Sequence, residues 1–157
     1  MRVGIGYDSH RFADGRPLIL GGQRIPHAQG LSGHSDADAV AHAVTDALLG
    51  AVAAGSIGDF FPDSDPQWKN ADSMVLLRQV VTLVRQRGFR PSQADVTVIC
   101  EAPRLSSHAP AIAAAVADAL ELQADSVGFK AKSNEGMGFI GRGEGLAVMA
   151  VVTVEAR

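Results

Sequence analysis

Asp8 and His10 stand two residues apart, and a third metal-competent donor, His42, follows in a stretch with helical spacing. In an extended strand residues i and i+2 point to the same face, so Asp8 and His10 can approach one ion together. His42 lies within Ser35-Asp-Ala-Asp-Ala-Val-Ala-His-Ala-Val-Thr-Asp. That segment reads as the start of a capped helix, with Ser35 at the N-cap and Asp38 three residues on. Two histidines and one carboxylate suit zinc, and three protein ligands leave a tetrahedral position open for chemistry. A lone histidine is more often an ordinary polar residue, so the surrounding sequence has to carry the case.

The elements that must position these residues follow from periodicity. Residues 2–10 alternate, with Val3, Ile5 and Tyr7 on one side and Gly4, Gly6, Asp8 and His10 on the other. This predicts a strand whose apolar side packs while its other side carries ligands. The two glycines on the ligand side leave room for a substrate or a neighbouring backbone. Leu18-Ile-Leu, Gly21-Gly22 and Arg24-Ile-Pro predict a short hairpin. The helix expected over 36–54 has Val40, Ala41, Val44, Leu48, Ala51 and Val52 on its apolar face. Asp38, His42 and Asp46 recur every four residues on the other face, which makes both aspartates candidates for orienting His42.

Residues 55–71, rich in proline and aspartate, read as a loop over the site. A second helix fits 73–87, with Asp72 as N-cap and Gly88 just past its end. Ala94–Glu101 alternates as a strand, and Ser106 or Ser107 caps an alanine-rich helix that tolerates Pro110 in its first turn. Val127–Lys132 is another strand, followed by a glycine-rich loop at 136–145 and a final strand at 146–154 that is apolar on both faces. The order predicts an α+β fold, a mixed sheet with helices packed on one side, in a single domain over 1–157. The other sheet face also needs cover, and so small a chain has no second layer to offer. Self-association answers that need.

At 157 residues there is room for one real core. The 46% hydrophobic and 20% charged composition is that of an ordinary soluble protein, and a net charge of −3 gives no reason to expect nucleic acid or an anionic membrane as partner. An anionic substrate must then be met locally, by metals, helix N-termini and particular lysines or arginines. Cys100 is the sole cysteine, which excludes an intrachain disulfide and favours a reducing, cytoplasmic location. Neither a signal stretch nor a membrane-length apolar run is visible.

Gly-Tyr-Asp-Ser-His at 6–10, Gly-His-Ser-Asp-Ala-Asp at 33–38 and His-Ala-Val-Thr-Asp-Ala-Leu-Leu-Gly at 42–50 frame the three donors. Phe-Pro-Asp-Ser-Asp-Pro at 61–66, Ala-Pro-Arg-Leu at 102–105 and Gly-Phe-Ile-Gly-Arg-Gly-Glu-Gly at 138–145 follow in order. Together these motifs resemble the 2-C-methyl-D-erythritol 2,4-cyclodiphosphate synthases of the non-mevalonate isoprenoid pathway, along the whole chain. The resemblance implies a homotrimer whose sheets face the threefold axis, with active sites between subunits. It implies a phosphorus–oxygen lyase acting on 4-diphosphocytidyl-2-C-methyl-D-erythritol 2-phosphate: the 2-phosphate attacks the β-phosphate, CMP leaves, and a cyclic diphosphate remains. Such a reaction needs two phosphates held in line and charge neutralised, not a nucleophilic side chain.

The same resemblance assigns roles. Asp8, His10 and His42 would hold one zinc ion per subunit, and Glu135 a magnesium or manganese ion bridging the α- and β-phosphates. His34 and Ser35 would meet a phosphate at the helix N-terminus, where free N–H groups and the dipole favour an anion. Ser133 replaces the usual threonine but keeps the hydroxyl, so His34, Ser133 and Glu135 are the catalytic candidates, flanked by Lys132 and Asn134. Cys100, Glu101, Ala102, Pro103, Arg104, Leu105 and Ser106 would surround the cytosine and nucleotide phosphates, with Cys100 a small buried residue and Arg104 in place of a lysine. Phe61, Pro62, Asp63, Ser64 and Asp65 would meet the methylerythritol phosphate end. Phe139 and Arg142 also match, Arg142 near an axial apolar cavity that can hold an isoprenoid diphosphate; Met149, where a glutamate is frequent, alters the polarity of that cavity. Where the family commonly has Gly-Asp-Ile-Gly for the ribose hydroxyls, this chain reads Gly55-Ser56-Ile57-Gly58, and Asp59 is placed to restore the carboxylate. Two rival readings of the same residues are a zinc-dependent nucleotide diphosphate phosphoesterase and a non-catalytic trimer that binds isoprenoid diphosphate.

Overall fold

The glycines of the first strand decide how the layers meet. In the computed structural model, which describes residues 1–157, β1 (Arg2–Ala13) turns Gly4 and Gly6 toward α1 (Ala39–Ala51). A Cβ on Gly4 would stand 1.9 Å from the carbonyl oxygen of Ala47, and one on Gly6 equally close to that of Ala43. Only glycine lets the helix backbone lie directly on the strand. The neighbour anticipated for these glycines is therefore a backbone, that of α1.

The hairpin β2 (Leu18–Leu20) and β3 (Gln23–Ile25) forms as expected, turning on Gly21 and Gly22 at φ 56° and 71°. β4 (Gly30–Leu31) pairs with the end of β1. After α1 come the single-turn α2 (Ile57–Phe60), a 3₁₀ turn at Pro66–Trp68, and α3 (Ser73–Gln86) with Asp72 as N-cap and Gly88 at φ 82° beyond its end. β5 (Phe89–Ile99) starts five residues earlier than the alternation suggested and continues through an irregularity between Pro91 and Gln93. Proline cannot donate to the ladder, which hides the strand's first half from a pattern search. α4 (Ala109–Leu120) then connects β5 to the parallel β6 (Val127–Lys132), and α5 (Gly138–Gly141) precedes β7 (Gly145–Ala156).

The main sheet is mixed, in the order β4-β1-β7-β5-β6, with β7 antiparallel to both β1 and β5. α1 lies on β1, β7 and β5, α3 packs beside it, and α4 packs against α3 and β6, so the core fills one face of the sheet. Val148, Ala150, Val152 and Val154 of β7 are buried there with Val96 and Val98 of β5. The apolar side of β1 does not pack within the chain, contrary to expectation. Val3, Ile5, Tyr7, Met149 and Val151 form the opposite face and are 40% to 65% exposed. Cross-strand pairing sets Ile5 beside Val151 and Tyr7 beside Met149, which makes this one continuous apolar patch.

Three boundaries moved for identifiable reasons. α1 starts at Ala39 and is capped by Asp38, not Ser35, because Ala37 is left-handed at φ 57° and interrupts the helical path. Its end is Ala51 rather than 54, since Ala53 is also left-handed, at φ 53°. α4 takes His108 at its N-cap position without a side-chain cap, so neither Ser106 nor Ser107 serves.

Candidate active site

Close docking of α1 on β1 brings His42 to Asp8 and His10. Asp8 Oδ2 lies 2.8 Å from His10 Nε2 and 3.0 Å from His42 Nδ1, and the two nitrogens are 3.3 Å apart. Ligands about 2.0–2.1 Å from a tetrahedral zinc ion stand roughly 3.3 Å from one another, so the three atoms fit such an ion after a small expansion. All three residues are half-buried. Burial pushes the Asp8 carboxyl up, but hydrogen bonds and charge from His10 and His42 outweigh it and bring the pKa down to about 2. For His10, burial acts downward and the bond to Asp8 wins, raising its pKa.

The two imidazoles present opposite nitrogens. His10 Nδ1–H donates to the Ser32 carbonyl at 2.6 Å, which leaves Nε2 for the metal. His42 turns Nδ1 inward, and its Nε2 lies 2.9 Å from Ser73 Oγ and 3.1 Å from Ser35 Oγ. Asp38 and Asp46 do not orient His42 as their spacing suggested. Asp38 is fully buried and accepts from the N–H groups of Gly21, Gly22 and Ala41. Asp46 accepts from Ile57 N at 2.7 Å, tying α2 to α1. Ser73 escaped the sequence reading because it was only the first residue of an expected helix.

Asp8, His10 and His42 open into a cavity of 360 Å³ whose walls also include His34, Ser35, Ile57, Gly58, Phe61, Pro62 and Asp63. Gly33, Trp68 and Leu76 complete it, and the sequence pattern points to neither Trp68 nor Leu76. Phe61 meets Trp68 edge to face at 5.0 Å. Ser64 and Asp65 stand outside the lining; the Asp65 carbonyl accepts from His34 Nε2 at 3.1 Å, and its carboxylate caps the 3₁₀ turn. His34 and Ser35 precede the first helical residue by several positions, so they do not occupy the helix N-terminus itself. Ser56 lies off the lining and donates from N and Oγ to Asp59 Oδ2 at 2.7 and 3.0 Å. The Ser56 N–H holds the exposed Asp59 carboxyl below its ordinary pKa. A carboxylate is thus present at Ser56 after all, supplied from one turn further along.

A second cavity, of 300 Å³, gathers Cys100, Glu101, Pro103, Arg104, Leu105 and Ser106 with Ala131, Lys132 and Ser133; Ala102 is not in its wall. Glu101 Oε1 accepts from Asn134 N at 2.8 Å and Gly136 N at 3.3 Å, joining the segment after β5 to the turn after β6. In that turn Ser133 Oγ donates to Glu135 Oε1 at 3.2 Å. Burial pushes the Cys100 thiol up to about 11, which removes it as a nucleophile. Phe139 borders a third hollow beside His10 and Glu144, and exposed Arg142 pairs with Glu144 at 2.9 Å.

The first two cavities share no residue. Asp8 pairs with Val148, Val148 with Val98 and Val98 with Ala131, so all four occupy one row across the sheet. Three strand spacings of about 4.8 Å put Asp8 and Ala131 roughly 14 Å apart. Glu135 is not among the donor atoms that converge with Asp8, His10 and His42.

Comparison with known proteins adds an independent line. The family model of the YgbB family matches residues 1–155. The chain is 56% identical over 154 residues to the 2-C-methyl-D-erythritol 2,4-cyclodiphosphate synthase of Dechloromonas aromatica, covering 98% of this chain and 96% of that one. It is 51% identical over 156 residues to the same enzyme of Salinibacter ruber, covering 99% of each. A solved structure of a 2C-methyl-D-erythritol-2,4-cyclodiphosphate synthase in its CDP-bound form superposes with a TM-score of 0.90 at 40% identity, covering 98% of this chain and all of that one. The bifunctional IspDF of Campylobacter jejuni gives a TM-score of 0.96 at 41% identity over 99% of this chain, which spans 42% of that longer protein.

Proposed function

The chain belongs to the YgbB family, and from that premise we infer that it converts 4-diphosphocytidyl-2-C-methyl-D-erythritol 2-phosphate to 2-C-methyl-D-erythritol 2,4-cyclodiphosphate and CMP. The observation that carries this reading is the convergence of Asp8, His10 and His42 in one cavity of a chain aligned end to end with synthases of that name. The class is phosphorus–oxygen lyase, the catalytic unit is residues 1–157, and the location is the cytoplasm. No helix is long and apolar enough to cross a membrane.

The substrate carries its own nucleophile, so the protein's task is to orient two phosphates and spread their charge. When bound, zinc at Asp8, His10 and His42 supplies a Lewis acid for the β-phosphate, and magnesium or manganese held by Glu135 neutralises the α- and β-phosphates. His34 and Ser35 face the same cavity and offer polar contacts to the phosphate held there. The wall of Phe61, Pro62 and Asp63 receives the methylerythritol and excludes water from it, while Ile57 and Gly58 lie toward the ribose. Cys100 to Ser106 surround the cytosine, where backbone groups can read the pyrimidine edge. Lys132 and the Ser133 hydroxyl then face the charge that develops as CMP departs.

One chain keeps those two groups of residues in separate cavities. A homotrimer with the exposed face of β1 and β7 turned toward its axis would bring the nucleotide cavity of one subunit against the metal centre of the next. The apolar patch of Val3, Ile5, Tyr7, Met149 and Val151 supports that assembly. An isoprenoid diphosphate near Arg142 is a further ligand of the assembled axis.

Purified protein should turn the cytidyl substrate into CMP and cyclic diphosphate in equal amounts, followed by phosphorus NMR. Run in oxygen-labelled water, the reaction should leave both products unlabelled. Label in CMP or in a linear phosphate would instead make the protein a phosphoesterase.

A further inference from the structure

We infer that Asp36 and Ser73 form a positioning pair that fixes the tautomer of His42, and so decides which of its nitrogens meets the metal. This rests on the metal reading above. Ser73 is 1% exposed, and its Oγ–H donates to Asp36 Oδ1 at 2.5 Å. The same carboxylate accepts from Ser73 N at 3.1 Å, and Asp36 N donates to the Ala71 carbonyl at 3.0 Å, so backbone and side chain clamp the two residues together. A hydroxyl has a single hydrogen. With that hydrogen given to a carboxylate, Ser73 Oγ can only accept from His42 Nε2, 2.9 Å away. The imidazole proton is thereby held on Nε2, and the lone pair falls on Nδ1, the atom beside Asp8 and His10.

Ser35 provides an internal control. Its Oγ is 3.1 Å from the same nitrogen but has no carboxylate behind it, and its hydrogen can turn to Ser73 Oγ at 3.2 Å. His10 is oriented by a backbone carbonyl that no substitution removes. His42 is oriented by side chains, which makes the device open to test.

Zinc affinity is measured on the full-length protein by competition with a chromophoric chelator, alongside the visible spectrum of the cobalt(II)-loaded form. Folding of each variant is read by circular dichroism in chelator. Asp36→Asn and Ser73→Ala should weaken zinc binding about 10–100-fold and alter the cobalt spectrum. Ser35→Ala should change affinity by less than about threefold and leave the spectrum native, since the carboxylate-backed acceptor remains. Should Ser73→Ala fail to fold, Asp36→Asn, which keeps the size and an acceptor for Ser73 N, carries the test. Native affinity and spectrum in Asp36→Asn would overturn the pair, as would equal losses in Ser35→Ala and Ser73→Ala. A native protein that binds no zinc would overturn the metal centre itself, and this inference with it.

Discussion

Asp8, His10 and His42 project from a strand and a helix whose backbones touch through Gly4 and Gly6, whereas Ser133 and Glu135 sit on a turn held to the Cys100–Ser106 segment by the carboxylate of Glu101. The metal half is braced from behind: a backbone carbonyl fixes His10, and hydroxyls fix His42. The turn of Ser133, Asn134 and Glu135, which belongs to the half proposed to hold the nucleotide, is largely exposed and carries few internal bonds. A metal site needs its ligands in place before the ion arrives, because each ligand left to be ordered costs affinity. A loop that reads backbone edges of a base can settle around its ligand, and in the proposed trimer it also settles against a neighbour.

The largest expected effect comes from breaking the metal half alone. His42→Ala should cost turnover more than about 10²-fold, the several kcal/mol that a Lewis acid supplies. Its fold should survive, because the core contacts of α1 come from other residues such as Val40, Val44 and Leu48. CDP, whose β-phosphate would meet that ion, should also bind more weakly by calorimetry. Full zinc occupancy in that variant would contradict the ligand assignment.

Next is a substitution that touches neither half. Ile5→Asp places a charge in the centre of the exposed apolar face. Light scattering should report smaller species than the proposed trimer, zinc should remain bound, and turnover should disappear with assembly. An active monomer would remove the need for a neighbour.

Support behind the metal half sets the third expectation. Asp38→Ala strips the acceptor from three N–H groups, those of Gly21, Gly22 and Ala41, each costing about 1–3 kcal/mol when left unsatisfied. Allowing for partial relaxation, chemical denaturation should show a loss of about 3–5 kcal/mol. Burial, opposed by these three bonds and aided by the Asp36 charge, raises the Asp38 pKa from 3.8 to about 6. The folded protein therefore keeps a proton that the unfolded chain has released. Stability should fall as pH rises from about 4 to about 6, and that slope should be shallower in Asp38→Ala, where only the raised Asp46 carboxyl still contributes.

The smallest effect concerns the carboxylate at Ser56. Asp59→Ala removes it and should weaken CDP binding several-fold, the difference of about 1 kcal/mol between charged and neutral hydrogen bonds. Unchanged affinity would assign the ribose to backbone groups such as Gly58.

Much of this architecture can be read from residues 1–157 without coordinates. Asp8 and His10 share a strand face because alternation forces it, and the family motifs supply His42 as their companion. Asp72 and Gly88 delimit α3 by ordinary capping chemistry. Ser35 misled as an N-cap because the left-handed turn at Ala37 has no sequence signature; glycine would have announced it. Asp38 and Asp46 have the right spacing to stand over His42, yet both are claimed by backbone N–H groups from elements distant in sequence. Ser73 and Asp36, 37 residues apart, become neighbours only through the packing of α3 beside α1. The apolar side of β1 was legible as apolar, but nothing in alternation says whether its partner lies in the same chain.

The claim that most needs testing is that the metal half of one subunit works with the nucleotide half of the next. Asp8→Ala lacks the first and Glu135→Ala the second, so each homotrimer should be inactive. Unfolded together in equal amounts and refolded, they should form hybrid trimers in which about a quarter of the interfaces combine two intact halves, because subunit order around a closed ring is random. Turnover should rise to roughly that fraction of native, in the mixture only. A mixture as inactive as its parents, with hybrid trimers verified by mass spectrometry, would place both halves of the site within one chain and contradict the account.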